Sequence, residues 1–329
     1  MDKRKLNAKS ITNILRSYGI LVVMACIVVV TAIVEPNFLT ADNFLNILRQ
    51  VSVIGIVSCG MTFVIISGAF DLSVGATVSL TGVIGITIIN NTGNVFLAIL
   101  LALLVGLAVG SLNGFIIATI NGGMGEAFIV TFGMQTAIAS MALFASGGLF
   151  LAGRIPDGIY REVGRGIWPI VLFLVVAVIM QFILTRTRFG RRLCFVGGNI
   201  RAAKMSGIRV KQNRIIYFAI AGMLAGLAAV VLTSRVTSAS PMGGDGFELE
   251  AIAAVVVGGT SLYGGSGNIA KTVMGVIVIG LLSNTLNLMG ITSYPQMIVK
   301  GAIIILAVGM DVWNKQIKTR ELSNEKAFK

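Results

Sequence analysis

The sequence TRTRFGRRLCFVGGNIRAAKMSGIRVKQNR, residues 185–214, constrains how the rest of the chain can be arranged. It contains nine lysines and arginines and no aspartate or glutamate, and apolar runs border it on both sides. A segment with this many unpaired charges is too costly to place in a membrane or a dry core. We therefore predict that it lies in water between two membrane spans.

Within this basic stretch, residues 197–207 have the pattern of a short capped helix. Asn199 is a favourable N-cap residue, and Gly207 can adopt the left-handed backbone that ends many helices. Ala202 and Ala203 between them favour helix. A short helix with small side chains suits the groove of a partner protein. The alternative, from the residues alone, is a solvated basic loop.

The overall composition is that of a membrane protein. Of the 329 residues 56% are hydrophobic and 12% are charged, with a mean hydropathy of +0.92, whereas about a quarter of residues are charged in soluble domains. The net charge of +13 comes from basic clusters beside apolar runs, which indicates sorting of positive loops to the cytoplasm rather than nucleic-acid binding. Three cysteines and no histidine predict neither a disulfide framework nor a metal site.

Apolar runs predict an all-α membrane protein with about ten transmembrane helices. Their predicted positions are 18–34, 51–66, 74–89, 95–120, 127–151, 167–184, 215–232, a short or broken span around 251–257, 273–288 and 297–312. Ten spans place both termini and the basic stretch on one side, with most of the 26 lysines and arginines. Positive loops stay in the cytoplasm, so we predict cytoplasmic tails at 1–17 and 314–329 around a transmembrane domain at 18–313.

Six polar residues in or beside these spans are candidates to line a path through the membrane, because polar side chains seldom face lipid. They are Asp71, Asn113, Thr131, Gln135, Asn284 and Asn287. Asp71 has an alternative role as the cap of the helix that follows it. Asn284 and Asn287, one helical turn apart, can equally hydrogen-bond to neighbouring helices.

Glycine spacing predicts where backbones come close. Gly106, Gly110 and Gly114 recur every four residues, and Gly222 and Gly226 repeat that spacing in a later span. Small residues on one helix face allow close packing against another helix. The glycine-rich segment 258–265 predicts unwound backbone that must be surrounded by protein or by a water-filled cavity.

The chain has no catalytic motif. It lacks the Gly-x-x-x-x-Gly-Lys-Ser/Thr phosphate loop of ATPases and any carboxylate, histidine or cysteine constellation for catalysis. We therefore predict a conduit without catalytic residues, cofactor or metal, energised by another protein.

Three motifs together are similar to a known family. They are Gly-Gly-Asn-x-x-Ala-Ala-x-x-x-Gly at 197–207, Asp-Leu-Ser-Val-Gly at 71–75, and Phe-Glu-Leu-Glu-Ala-Ile-Ala-Ala-Val-Val-Val-Gly-Gly-Thr-Ser-Leu at 247–262. They resemble the permease subunits of bacterial ABC sugar importers of the ribose, xylose and arabinose group. Residues 294–300 also match, so the similarity extends from about residue 12 to residue 313.

The resemblance implies a permease of the vitamin-B12-importer type (type II) in the bacterial inner or plasma membrane, importing a monosaccharide such as a ribose-like pentose. Its implied partners are a separate ATP-binding subunit, an extracytoplasmic sugar-binding protein that docks on loops 152–166 and 233–250, and a second permease, either identical or a close paralogue. Nucleic acid is not among them.

The resemblance also makes the short capped helix the coupling helix, which contacts the ATP-binding subunit. The residues implied are Gly198, Asn199, Arg201, Ala202, Ala203, Lys204 and Gly207. Arg201 departs from the family, which commonly has glutamate there, and this predicts an acidic or neutral patch on the partner. The alternative class is an ion-driven secondary transporter. That class needs a titratable relay within the membrane, for which the sequence offers only Asp71 and Glu126.

Overall fold

The computed structural model describes residues 24–156, 158–292, 294–303, 305–306 and 309. The predicted tails at 1–17 and 314–329 lie outside the described residues. In chain order the elements are α1 (Met24–Val34), α2 (Ala41–Ile66), α3 (Val74–Thr92), α4 (Val95–Thr119), α5 (Met124–Ser146), β1 (Leu151–Ala152), α6 (Ile159–Val163), α7 (Trp168–Arg186), α8 (Arg188–Gly198), α9 (Ile200–Met205), α10 (Val210–Val236), β2 (Ser238–Ala239), α11 (Phe247–Val257) and α12 (Ile269–Leu288), and residues 294–303 are helical again.

Seven of the described helices are long and apolar enough to cross a membrane. They are α2, α3, α4, α5, α7, α10 and α12, and each overlaps a predicted apolar run. Helix α5 ends at Ser146 rather than at residue 151, because Gly147 adopts the left-handed backbone that ends it. The prediction of a helical membrane protein with many spans is therefore confirmed. The total of ten stays a prediction, because the first and last runs are described only in part. Helix α11, with 11 residues, is too short to cross a bilayer alone.

The structure corrects two details of the predicted helices. Helix α2 begins at Ala41 rather than Val51, because Thr40 caps it by accepting a hydrogen bond from the backbone N–H of Asn43. The first turns of α2 are polar, so a search for apolar runs missed them. Thr187 caps α8 in the same way, and this helix inside the basic stretch was not predicted.

Helix α2 forms the centre of the bundle. Every residue from Val51 to Ile66 is buried, and the helix packs against α7, α10, α11 and α12. By contrast, α4, α5 and α7 carry exposed apolar side chains such as Phe115, Phe144 and Phe182. Exposed apolar faces of this kind are typical of membrane spans, and they place α4, α5 and α7 at the outside of the described bundle.

The predicted glycine stripe is confirmed as a close contact between α4 and α10. A Cβ atom on Gly110 would overlap the Phe218 carbonyl oxygen and lie 2.8 Å from its carbonyl carbon. One on Gly222 would lie 2.9 Å from the Cα atom of Gly110. Backbones can approach this closely only where side chains are absent.

Two short strands mark the end of the bundle opposite the basic stretch. Strand β1 pairs antiparallel with β2, Leu151 opposite Ala239 and Ala152 opposite Ser238. Helix α10, with 27 residues, separates β2 from the basic stretch by about 40 Å. We call the end that carries α8 and α9 the basic end and the end that carries β1 and β2 the opposite end. The two loops predicted to contact a binding protein thus meet at the opposite end.

Candidate functional site

Helix α9 at the basic end has the predicted caps. The side chain of Asn199 accepts a hydrogen bond of 3.0 Å from the backbone N–H of Ala202. Gly207 has a φ of +75°, and the next backbone N–H, of Ile208, donates to the Ala203 carbonyl at 3.1 Å. The sequence pattern of residues 197–207 therefore forms the short helix that it predicted.

Helix α9 has one buried residue and a largely exposed remainder. Ala203 is fully buried beside Val196 and Val210, so it anchors α9 to the neighbouring helices rather than offering a contact to a partner. Six of the predicted coupling residues are exposed: Gly198, Asn199, Arg201, Ala202, Lys204 and Gly207. Met205, which the sequence analysis passed over, is 90% exposed. An adaptable apolar side chain beside two basic residues is suited to a protein contact.

Three glycine-rich segments meet directly beneath α9. A Cβ atom on Gly197 of α8 would overlap the Ile66 carbonyl oxygen at the end of α2 and lie 2.7 Å from the backbone nitrogen of Gly265. The N–H of Gly265 donates to that same Ile66 carbonyl at 2.8 Å. The unwound segment after α11 therefore packs against α2 and α8 at Gly265, while Gly259, Tyr263 and Ser266 within it are exposed. We call this contact the glycine junction.

The basic end also holds the turn between α4 and α5. Lys204 of α9 donates to the Asn121 side-chain oxygen at 3.4 Å. Arg214, which is 2% exposed, donates to the Gly122 carbonyl. Cys194 of α8 is half-buried, and this burial raises the pKa of its thiol, so little reactive thiolate forms near neutral pH. These contacts connect α9 to two of the spans that carry polar candidates.

Asp71 and Asn113 belong to one buried cluster. Asp71 accepts hydrogen bonds from the Ser73 backbone N–H at 2.9 Å and from the Ser73 hydroxyl at 2.7 Å. The Asn113 amide donates to the Ser73 hydroxyl at 2.7 Å and to Asp71 at 3.4 Å. Asp71 therefore fixes the turn before α3 and lies inside the bundle, but the N-cap of α3 is Ser73 and Asp71 does not cap the helix itself.

Gln135 reaches an acid that the sequence analysis did not single out. Its amide donates to Glu248 of α11 at 3.3 Å, while the second carboxylate oxygen of Glu248 is buried without a hydrogen-bond partner in the described part of the chain. Thr131, on the same helix, donates to the Ala127 carbonyl of its own helix at 2.8 Å. An acid next to the apolar run 251–257 was the available signal for Glu248, since burying a carboxylate is costly.

Asn284 and Asn287 have different surroundings. Asn284 is buried and exchanges two hydrogen bonds with Asn43 of α2, at 3.1 and 2.8 Å. Asn287 is exposed and accepts a hydrogen bond of 2.8 Å from Gln296. Asn284 therefore forms hydrogen bonds to a neighbouring helix, which was one of its two predicted roles. Asn43 lies at the start of α2 and Asp71 follows its end, so the candidates form separate clusters at different levels of the bundle, and their role in lining a path stays a prediction.

We expect cysteines at these two positions to react at different rates. In a chain with Cys26, Cys59 and Cys194 replaced by alanine, Asn287→Cys should react with a small water-soluble thiol reagent about tenfold or more faster than Asn284→Cys, because reaction requires access to the thiol. Labelling rates of the purified protein in detergent measure this difference. Equal rates would contradict the burial of Asn284.

The architecture as a whole is that of a membrane permease. Apolar spans surround internal polar clusters, and an exposed capped helix stands at the basic end. Among the described residues no group of three or more histidine, cysteine, aspartate or glutamate side chains could hold a metal ion. Such a chain provides a route for a solute.

The chain belongs to the family of branched-chain amino acid transport system / permease components, whose model matches residues 43–308. It is 39% identical to the ribose import permease protein of Haemophilus influenzae over 303 residues, 90% of this chain and 92% of that protein. It is also 39% identical to the ribose import permease protein of Bacillus subtilis over 290 residues, 87% and 89% of the two chains. The L-arabinose transport system permease protein of Escherichia coli is 35% identical over 306 residues, 92% of each chain. No solved structure matches the chain. The resemblance to sugar-importer permeases is thereby confirmed.

Proposed function

We propose that this chain is the permease subunit of a bacterial ABC importer that moves a monosaccharide, a ribose-like pentose, across the inner membrane. The observation that carries the proposal is the 39% identity to ribose import permeases along about nine tenths of the chain. The exposed and capped helix α9 supports it, since an energy-supplying subunit requires a docking surface.

In the proposed complex, the basic end faces the cytoplasm and both termini lie there. Two permeases, identical or closely related, stand side by side with about ten spans each, in the vitamin-B12-importer arrangement. A separate ATP-binding subunit contacts α9 through Arg201, Ala202, Lys204 and Met205, and a sugar-binding protein docks on the loops joined by β1 and β2.

Three contacts would transmit movement of α9 into the bundle. Ala203 fixes α9 to α8 and α10, the glycine junction connects α8 to α2, and Lys204 reaches the turn between α4 and α5. Helices α4 and α5 carry Asn113 and Gln135, so a shift of α9 would reach both buried hydrogen-bond networks.

The ion-driven alternative is less well supported. Glu126 is exposed and accepts a hydrogen bond of 2.7 Å from the Gly123 backbone N–H at the start of α5. It acts as a helix cap, and a relay of titratable groups within the membrane cannot be built around it.

Reconstitution tests the proposed function. The chain, its ATP-binding subunit and its binding protein are placed in vesicles, and uptake of labelled D-ribose is followed with and without ATP. We expect uptake that requires ATP and the binding protein. Uptake driven by an ion gradient without ATP, or no pentose uptake, would overturn the proposal.

Arg201→Glu should weaken assembly with the native ATP-binding subunit. The exposed arginine predicts an acidic or neutral partner surface, and a glutamate would be repelled by an acidic one. The loss of affinity should be larger at low salt, because screening limits such repulsion to about 8–10 Å near physiological ionic strength. Binding of the purified subunits at two salt concentrations measures it.

Arg188→Glu is the matched control, because Arg188 is also exposed but lies at the start of α8, away from α9. Equal weakening by both variants would show a general effect of net charge rather than a contact at Arg201.

A further inference from the structure

A cavity of about 260 Å³ lies between α2, α10, α11 and α12. Pockets for drug-sized ligands measure about 300–1,000 Å³, so this one suits a smaller molecule. Its polar lining comes from Gln50, Arg235, Glu250 and Ser283, and the ring of Phe247 and several aliphatic side chains complete it. It lies beside the end of α10, and therefore towards the opposite end of the bundle.

Two polar groups of this cavity have no partner in the described part of the chain. The amide of Gln50 and the hydroxyl of Ser283 make no hydrogen bond there. By contrast, Ser52 and Ser58 of α2 are satisfied locally, since they donate to carbonyls of their own helix at 2.6 and 2.8 Å. An amide and a hydroxyl left free beside a cavity are available to a polar ligand.

The cavity has two charged groups of opposite sign, Arg235 and Glu250, and each is held in place by a bond to another side chain. Arg235 donates to the Asn46 side chain at 3.1 Å, and Glu250 accepts from Lys300 at 2.5 Å. Each keeps further donors or acceptors. A guanidinium and a carboxylate on one small cavity disfavour both an anion and a cation, and favour a neutral ligand with many hydroxyl groups.

A neighbouring cavity of about 380 Å³ shares Leu232 and Gly243 with this one. Two of its hydroxyls already make hydrogen bonds within the protein: Ser79 accepts from the Gly244 backbone N–H at 2.9 Å, and Thr233 bonds to Tyr160 at 2.6 Å. This cavity also lacks the opposed arginine and glutamate of the smaller one, so it is the weaker candidate for binding.

We propose that the 260 Å³ cavity is a transient binding subsite for a neutral monosaccharide, with Gln50 and Ser283 bonding to its hydroxyls and Phe247 covering its apolar face. This inference rests on the proposed function. Glu250 lines the cavity, whereas Glu248, two residues earlier, points to another face of α11 and bonds to Gln135. The subsite is therefore separate from the Gln135–Glu248 pair.

Protection from labelling tests the subsite directly. Ser283→Cys is made in a chain whose three cysteines are alanine, and its reaction with a small water-soluble thiol reagent is timed in the purified complex. D-ribose at about twice its dissociation constant should slow the reaction about threefold by occupying the cavity. Sucrose at equal osmolality, too large for the cavity, should leave the rate unchanged.

A second variant tests the same site through transport. Gln50→Leu should lower D-ribose import per ATP hydrolysed about two- to tenfold, the loss expected for one neutral hydrogen bond. Ser58→Ala, a buried hydroxyl on the same helix away from the cavity, should not change this ratio. Absence of labelling, labelling that D-ribose does not slow, or normal import by Gln50→Leu would overturn the subsite. If the unmodified complex imports no D-ribose, the proposed function fails instead.

Discussion

Gly110→Val should prevent the bundle from folding, whereas Gly133→Val should leave it folded. Gly110 contacts the backbone of α10, and a Cβ atom there would lie 2.8 Å from the Phe218 carbonyl carbon and 3.1 Å from the Cα atom of Ala219. Backbone atoms cannot rotate away as a side chain can. Overpacking in a core costs about 1–3 kcal/mol and sometimes more, and helices in lipid lack a hydrophobic driving force to offset the loss.

Gly133 is the matched control, because no atom lies within 4 Å of a Cβ placed there. Folding is measured with a thiol-reactive dye in a chain that keeps only Cys59, which is fully buried in α2. Early dye reaction and a low yield are expected for Gly110→Val, and a normal unfolding curve for Gly133→Val. Similar unfolding curves for the two variants would contradict the prediction, because they would show that α4 and α10 can move apart without loss of stability.

The long helices were predictable because a bilayer demands long apolar runs, and the described helices fall on those runs. Errors arose where a helix continues outside the apolar region. The first turns of α2 contain Asp42, Asn43 and Asn46, and only the cap at Thr40 marks their start. A local capping signal in the sequence would have located it.

The geometry of α9 was predictable because its signals are local. Asn199 and Gly207 act on backbone groups within a few residues of themselves. Which side of α9 is buried could not be predicted in the same way, because Ala203 is buried by contacts with Val196 and Val210 on neighbouring helices. These three positions recur every seven residues, a regularity that the sequence analysis did not use.

The hydrogen-bond partners of the polar candidates could not be predicted from the sequence alone. Gln135 meets Glu248, and Asn284 meets Asn43, across more than a hundred residues of chain in each case. Periodicity shows which face of a helix is polar but not which other helix it meets. Six residues selected for the same reason therefore belong to separate clusters.

Gly197→Ala should destabilise the basic end strongly, while Gly198→Ala should be tolerated. A Cβ atom on Gly197 would overlap the Ile66 carbonyl oxygen and lie 2.7 Å from the Gly265 nitrogen. The two groups are also hydrogen-bonded to each other, so neither can move without breaking the glycine junction. We expect a loss of about 1–3 kcal/mol or more in the free energy of unfolding.

Gly198 is the adjacent residue of the same helix, and the nearest atom to a Cβ placed on it, the Gly265 Cα atom, is 3.8 Å away. That is ordinary contact, and alanine is the better helix former by roughly 1 kcal/mol, so the unfolding temperature of Gly198→Ala should be unchanged or higher. The Cys59 dye measures both variants.

If the glycine junction also transmits movement of α9 to α2, Gly197→Ala protein that does fold should lose most of its sugar-stimulated ATP hydrolysis when assembled with its partners. Its basal hydrolysis should persist, because the catalytic groups lie on the separate subunit in the proposed complex. Full stimulation in a destabilised Gly197→Ala complex would separate the two roles. In that case the glycine junction would only support α8. Movement of α9 would then reach the bundle through the turn between α4 and α5, which Lys204 contacts.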